Sequence, residues 1–220
     1  MRTLIRSIPA AALALVLGTA HLAAQKAPGN GNFQWYIGGQ GGVLFFKTPN
    51  QGRTGIPTFG GHTLIVAKRT GLMLSFDEAV GSNEQTSYTD VAGPQTVTFN
   101  DIRRYSAVLM AFPIRAAAQP YLGLGYGIIH VVNPTPASAT ALQSDASELG
   151  SSGFMTFVGG MQFQVGRMMA FGQYQITSGA TQHSTATAFG RLLDGPTHTF
   201  TGGVRIGLGS AREDVRAGGY

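Results

Sequence analysis

Hydrophobicity in this chain repeats every two residues over long stretches, the period of a strand with one apolar and one polar face. From Met155 to Val165 the odd positions read Met155, Phe157, Gly159, Met161, Phe163 and Val165, while the even ones read Thr156, Val158, Gly160, Gln162 and Gln164. From Thr197 to Leu208 the residues His198, Phe200, Gly202, Val204, Ile206 and Leu208 share one side, and Thr197, Thr199, Thr201, Gly203, Arg205 and Gly207 the other. A helix of 3.6 residues per turn would scatter both sets around its axis. The same alternation predicts eight strands, at about 33–46, 56–66, 71–79, 96–112, 120–132, 153–165, 168–178 and 197–208.

The connections between these strands alternate in length. Lys47 to Gly55, Val80 to Gln95, Asn133 to Ser152 and Gly179 to Pro196 are long, whereas Ala67 to Thr70, Pro113 to Gln119 and Gly166-Arg167 are short. Long loops at one end and short turns at the other are the habit of transmembrane barrels of outer-membrane type. The long loops hold Glu84, Asp90, Asp145, Glu148 and Asp194, and the short turns Lys68, Arg69, Arg115 and Arg167.

Composition fits such a surface. Glycine supplies 32 of 220 residues and charged residues only 11%, against roughly 25% charged in ordinary soluble domains. Too few charges remain to cover a water-facing domain, yet no apolar run reaches the roughly 20 residues of a spanning helix. With no cysteine in the chain, disulfides, thiolate metal sites, lipoprotein anchors and cysteine nucleophiles are excluded. The formal charge of +5 is scattered, which argues against a nucleic-acid surface.

Residues 1–24 have the order of a cleaved secretory signal: Arg2 and Arg6, an apolar stretch from Ile8 to Leu17, then small residues from Gly18 to Ala24. A membrane anchor is the competing reading, but the apolar core is about half the length a span requires. Residues 25–32 then form a short linker, 33–209 the barrel and 210–220 a polar tail.

Together the export signal, the cysteine-free body, the eight alternating strands and the loop rhythm resemble the small eight-stranded outer-membrane barrel families, the OmpA-type transmembrane domain and the opacity-type surface proteins. The resemblance implies an all-β fold, an eight-stranded antiparallel up-and-down transmembrane β-barrel. The closing strand of such proteins ends in an aromatic residue. Here Phe200, Val204, Ile206 and Leu208 keep the alternation, and the tail from Ser210 to Tyr220 follows.

Alternation assigns a direction to each side chain. Met161, Phe163, Phe200, Val204, Ile206 and Leu208 are expected to face lipid. Asp77, Arg104, Arg205, Gln162 and Gln173 are expected to form a polar network in the lumen, accompanied by Gln40, Gln164 and Gln175, with Asp77 and Arg104 close enough to pair. An eight-stranded barrel has an interior about wide enough for side chains to fill, so this network should plug it. Phe33, Trp35, Tyr36, Phe45, Phe46, Phe59, Phe112, Tyr121, Phe154 and Phe163 gather toward strand ends, where aromatic girdles lie.

No catalytic set emerges. Gly123-x-Gly125-x-Gly127 lacks the spacing and the following helix of a phosphate loop. His198 has no nucleophile beside it, His183-Ser184 falls in a loop, and His62 and His130 read as ordinary strand residues. No cofactor or metal site is expected. The expected partners are outer-membrane lipid, lipopolysaccharide and the barrel assembly machinery, for a monomer with an unnamed extracellular ligand and a structural or adhesive role in the bacterial outer membrane. A small pore or hydrophobic-compound conduit and a lipid A-modifying enzyme stand as alternatives.

Overall fold

The structure, a computed structural model, describes residues 33–211 apart from 92, 115, 139–142, 166, 167, 180–182 and 185–187. The expected leader, the linker, the tail beyond 211 and the Gly166-Arg167 turn lie outside the described residues.

Eight long strands run β1 (Phe33–Phe46), β2 (Thr54–Ala67), β3 (Thr70–Asp90), β4 (Gly93–Ala111), β5 (Ala118–Val132), β7 (Ser151–Val165), β8 (Met168–Thr177) and β11 (His198–Ala211). Each pairs antiparallel with the next in sequence, and β11 returns to pair with β1, so the sheet closes without a free edge. The register gives the barrel its tilt. Partners lead from Trp35 through Ile65, Leu72, Leu109, Leu124, Phe157, Ile176 and His198 back to β1 at Phe45. From Trp35 to Phe45 is a stagger of ten residues, which at ~3.3 Å per residue and a strand tilt of about 40° corresponds to a climb of roughly 25 Å.

Glycine makes this closure sterically possible. Gly42 and Gly203 point into the lumen at positions where an added Cβ would collide with the backbone carbonyls of Phe200 and Gly39 on the neighbouring strand. A side chain there would force the tightly curved wall apart.

One expectation is overturned. Residues 80–95 are not a long loop, because β3 and β4 continue past the barrel wall as a hairpin paired up to Asp90 and Gly93. The register shifts between Val80 and Glu84, where Asn83 has a positive φ of 53°. The inward positions accordingly change from Asp77 and Ala79 to Glu84, Thr86 and Tyr88. The strict alternation of long and short connections therefore fails at this hairpin, although its upper half still stands at the long-loop end.

That end is built up further. The two-residue strand β6 (Thr135–Pro136) pairs with the upper part of β4, while β10 (Ala188–Gly190) pairs with the upper part of β3 and carries β9 (His183–Ser184). Helix α1 (Gln143–Leu149) buries Ala146 and Leu149, and the last long loop buries Leu192 and Leu193. Cross-links fix these pieces, with Thr86 Oγ1 donating to Leu192 O at 2.6 Å and Thr48 Oγ1 to Gln85 O at 2.6 Å.

Candidate functional site

The lumen is filled in three layers. At the short-turn end Tyr36, Leu64, Met73, Val108, Met110, Phe112, Tyr121, Val158 and Met169 form an apolar plug. At the long-loop end a second apolar cluster runs from Leu44, Phe46, Ile56 and Phe154 up into Leu149, Leu192 and Leu193 of the cap. Tyr36, Phe46, Phe112, Tyr121 and Phe154, expected in the girdles, thus point inward by strand parity.

The polar residues lie between the plugs, in two groups. In the upper one Asp77 and Arg104 stand opposite each other in register and pair at 3.5 Å, both almost wholly buried. Gln40 Nε2 donates to Asp77 Oδ1, and Arg104 Nη1 donates to Thr199 Oγ1 at 2.6 Å. A carboxylate taken from water is tolerable only with such partners.

The lower group surrounds Arg205, which is fully buried and has no carboxylate among its described contacts. Its Nε donates to His62 Nε2 at 2.8 Å, its Nη1 to Gln162 Oε1 at 2.7 Å, and its Nη2 lies 3.7 Å from Met73 Sδ. The guanidinium also lies 4.0 Å from the Phe171 ring centroid and 5.6 Å from that of Tyr121. Neutral acceptors and two π faces thus replace a counter-ion. Accepting through Nε2 fixes His62 as the neutral Nδ1–H tautomer. Gln173 joins this group by accepting from Tyr121 Oη at 3.0 Å, and Gln162 also donates to Gln119 Oε1 at 2.9 Å.

The five residues read from the sequence as one network thus fall into two clusters, Asp77 with Arg104 and Arg205 with Gln162 and, through Tyr121, Gln173. His62, Thr199, Met73 and Phe171 complete them and were missed. Their parity marks them as inward, but only contacts across the lumen show what they touch.

Outside, the order of polarity is inverted. Met161, Phe163, Phe200, Val204, Ile206 and Leu208 all face away from the lumen, Leu208 with 65% of its surface exposed. They belong to a continuous band in which Ile37, Leu74, Leu109, Leu124 and Ile128 are also exposed. No charged side chain interrupts this band among the described residues, and Thr63 is its one hydroxyl not borne by an aromatic ring. Phe33, Trp35 and Phe163 mark its lower border. Once the tilt is allowed for, Phe59, Phe76, Tyr105, Tyr126, Phe157, Tyr174 and Phe200 fall at one upper level, one from each strand except β1. Phe76 meets Tyr105 at 5.2 Å and Tyr174 meets Phe200 at 4.8 Å between ring centroids. Charges begin above that ring, where Arg103 Nε donates to Glu78 Oε1 at 2.9 Å.

Among the described residues no group of three or more His, Cys, Asp or Glu side chains is placed to hold a metal ion. With both ends packed, the barrel is expected to pass no steady current in planar lipid bilayers; sustained porin-like conductance would contradict a filled lumen.

A closed eight-stranded antiparallel barrel with a side-chain-filled interior and an apolar exterior is the architecture of the small outer-membrane barrels. No family model matches the sequence, and no curated protein matches it. Among solved structures the chain is similar to Neisserial surface protein A, with 8% identity and a TM-score of 0.53 over 78% of this chain and 96% of that one. Two structures of Ail, the attachment invasion locus protein of Yersinia pestis, give 12% and 13% identity and TM-scores of 0.39 and 0.41, each over 81% of this chain and 99% of that one. At this identity the likeness to the Neisserial protein is one of fold.

Proposed function

We propose that this protein is a non-enzymatic integral barrel of the bacterial outer membrane, exported by cleavage of residues 1–24, monomeric, and structural or adhesive in role. The observation that carries the reading is the charge-free apolar band. An uncharged apolar band bordered by aromatic rings is the face that outer-membrane barrels turn to the hydrocarbon layer. In water the same surface would be one large apolar patch, far beyond what soluble monomers expose. The packed lumen speaks against the pore or conduit reading, and the one Ser–His pair on the outer face, Ser151 Oγ with His130 Nδ1 at 2.6 Å, has no carboxylate paired with the imidazole among the described residues, which speaks against a hydrolytic triad. The cap and the β3–β4 hairpin, whose tip residue Val91 is 85% exposed, form the surface offered to an outside partner.

Cell fractionation tests membrane residence: the protein should appear in the outer-membrane fraction and migrate faster in gels unheated than boiled. Recovery as a soluble, heat-insensitive species would end the proposal. Topology has its own test, made clean by the lack of native cysteine. Val91→Cys should react with a membrane-impermeant maleimide on intact cells, and Arg69→Cys in the β2–β3 turn only after permeabilisation. The opposite pattern would invert the barrel.

A further inference from the structure

Above the upper aromatic ring three polar pairs on the outer surface involve an arginine or histidine carried by a barrel strand among the described residues, and two of them are closed. Arg103 is neutralised by Glu78, and His130 Nδ1 lies 2.6 Å from Ser151 Oγ. The third is open. Arg53, exposed in the loop before β2, places its Nη2 3.4 Å from His198 Nε2 and forms no ion pair with a carboxylate among the described residues. Asp194, a loop acid at this end, is taken up by Lys47 at 3.2 Å and by Arg191.

His198 is held in place from behind. Its Nδ1 lies 2.6 Å from Tyr174 Oη, and the two rings stack with centroids 6.0 Å apart. Tyr174 packs on Phe200, and Phe200 meets Phe45 edge-on at 6.2 Å. A fixed imidazole therefore directs Nε2 to the spot where a guanidinium arrives. At 3.4 Å the Arg53 contact is long for a hydrogen bond, and most of the five guanidinium donors are uncommitted. Two nitrogens converging in this way can both donate to one oxyanion, with the His198 proton on Nε2 and Tyr174 Oη donating to its Nδ1.

The geometry points to a binding site for the phosphate group of an outer-leaflet lipid, held by Arg53 and His198, with the Phe45–Phe200–Tyr174 surface beneath it against the lipid's apolar part. This inference rests on the bilayer placement proposed above. A phosphate monoester carries more than one negative charge at neutral pH and three acceptor oxygens, and arginine can meet two of them in parallel. A free anion would use only the exposed charges, which alone hold weakly. A lipid would add contact with the rings, and the site lies just above the aromatic level at which headgroups begin.

The test uses the purified full-length barrel in non-ionic detergent, titrated with phosphorylated lipid A, with lipid A stripped of its phosphates, and with inorganic phosphate. Binding is read by native mass spectrometry and the His198 ring by NMR. Phosphorylated lipid A should bind, with Arg53→Gln and His198→Phe each weakening it about tenfold and Arg53→Lys weakening it less. The stripped lipid should bind wild type no better than phosphorylated lipid A binds Arg53→Gln. Equal retention by wild type and Arg53→Gln, or indifference to the lipid phosphates, would overturn the site. Inorganic phosphate shifting the His198 resonances at the same concentrations as lipid A would overturn its assignment to lipid. Unheated gel mobility confirms that each variant is folded. Fractionation remains a separate readout, so a barrel outside the outer membrane fails the proposed function, whereas a correctly located barrel without phosphate discrimination fails only this inference.

Discussion

Asp77→Ala is expected to lower the unfolding temperature of the detergent-solubilised barrel sharply. The substitution leaves Arg104 buried with Thr199 as its remaining hydrogen-bond partner, and Gln40 loses its acceptor as well. Removing one member of a buried ion pair typically costs about 3–5 kcal/mol, because the other charge stays dehydrated and uncompensated. In a chain of this size that amounts to a shift on the order of 10 °C. The double variant Asp77→Ala/Arg104→Met removes both charges and should regain much of the loss, a coupling that a double-mutant cycle measures. An unchanged midpoint for the single variant would mean that water reaches the pair, since exposed ion pairs contribute ~1 kcal/mol or less. Arg205 should behave differently. Its partners are neutral, so Arg205→Met removes a buried charge without stranding another, and the expected loss is smaller than that of Asp77→Ala.

The second large effect is expected on the outer face, and it should depend on depth. Leu109 lies four residues below Tyr105 of the upper aromatic ring and two from the end of β4 at Ala111. Leu109, 70% exposed, therefore sits near the centre of the apolar band, whereas Ile206 and Met161 lie nearer its lower border. In a bilayer, Leu109→Arg should destabilise the barrel by about 2–4 kcal/mol, falling toward ~1 kcal/mol or less as the substitution approaches the border. Reversible denaturant titration in lipid vesicles would give both values. A soluble barrel would behave otherwise, because arginine at an exposed leucine usually changes stability by roughly half a kcal/mol or less. A flat profile across Leu109, Met161 and Ile206 would therefore remove the band from the membrane.

What could be read from the sequence was whatever depends on parity alone. Gln162 and Arg205 inward, Met161 and Ile206 outward, follow from strictly alternating strands with no irregularity between them. Parity fails where the chain inserts extra residues. Around Gly81, Ser82 and Asn83 the phase of β3 flips, and β4 flips opposite it between Phe99 and Ile102. A fixed-phase reading therefore stops the third strand at residue 79, so the β3 arm of the upper hairpin looks like loop while the β4 arm reads as strand from 96. Partnerships across the lumen were beyond reach for a different reason. Arg205 and His62 lie 143 residues apart on strands that do not pair, and they meet because both stand in register with Gly38 of the strand between them, where a side chain would collide with the imidazole. His62, unremarkable in the sequence, is for that reason one of the main acceptors of the buried guanidinium.

The apolar band also bears on how far such a sequence can drift. A soluble core fixes its residues by shape, since every side chain must fill a gap left by particular neighbours. Acyl chains are fluid and set no such template, so Leu, Ile, Val, Phe or Met can exchange at positions such as Leu124 or Val204 provided that the residue stays apolar. Half of every strand is released from jigsaw constraint in this way, and the capping loops diverge freely as surface segments do. Lumen glycines such as Gly42 and Gly203 cannot follow. Two barrels can therefore share a wall and a tilt with few residues in common, so an identity of 8% to Neisserial surface protein A is compatible with the same closed sheet. Kinship among such proteins is better sought in the spacing of their inward glycines and charges than in the letters of the face turned to lipid.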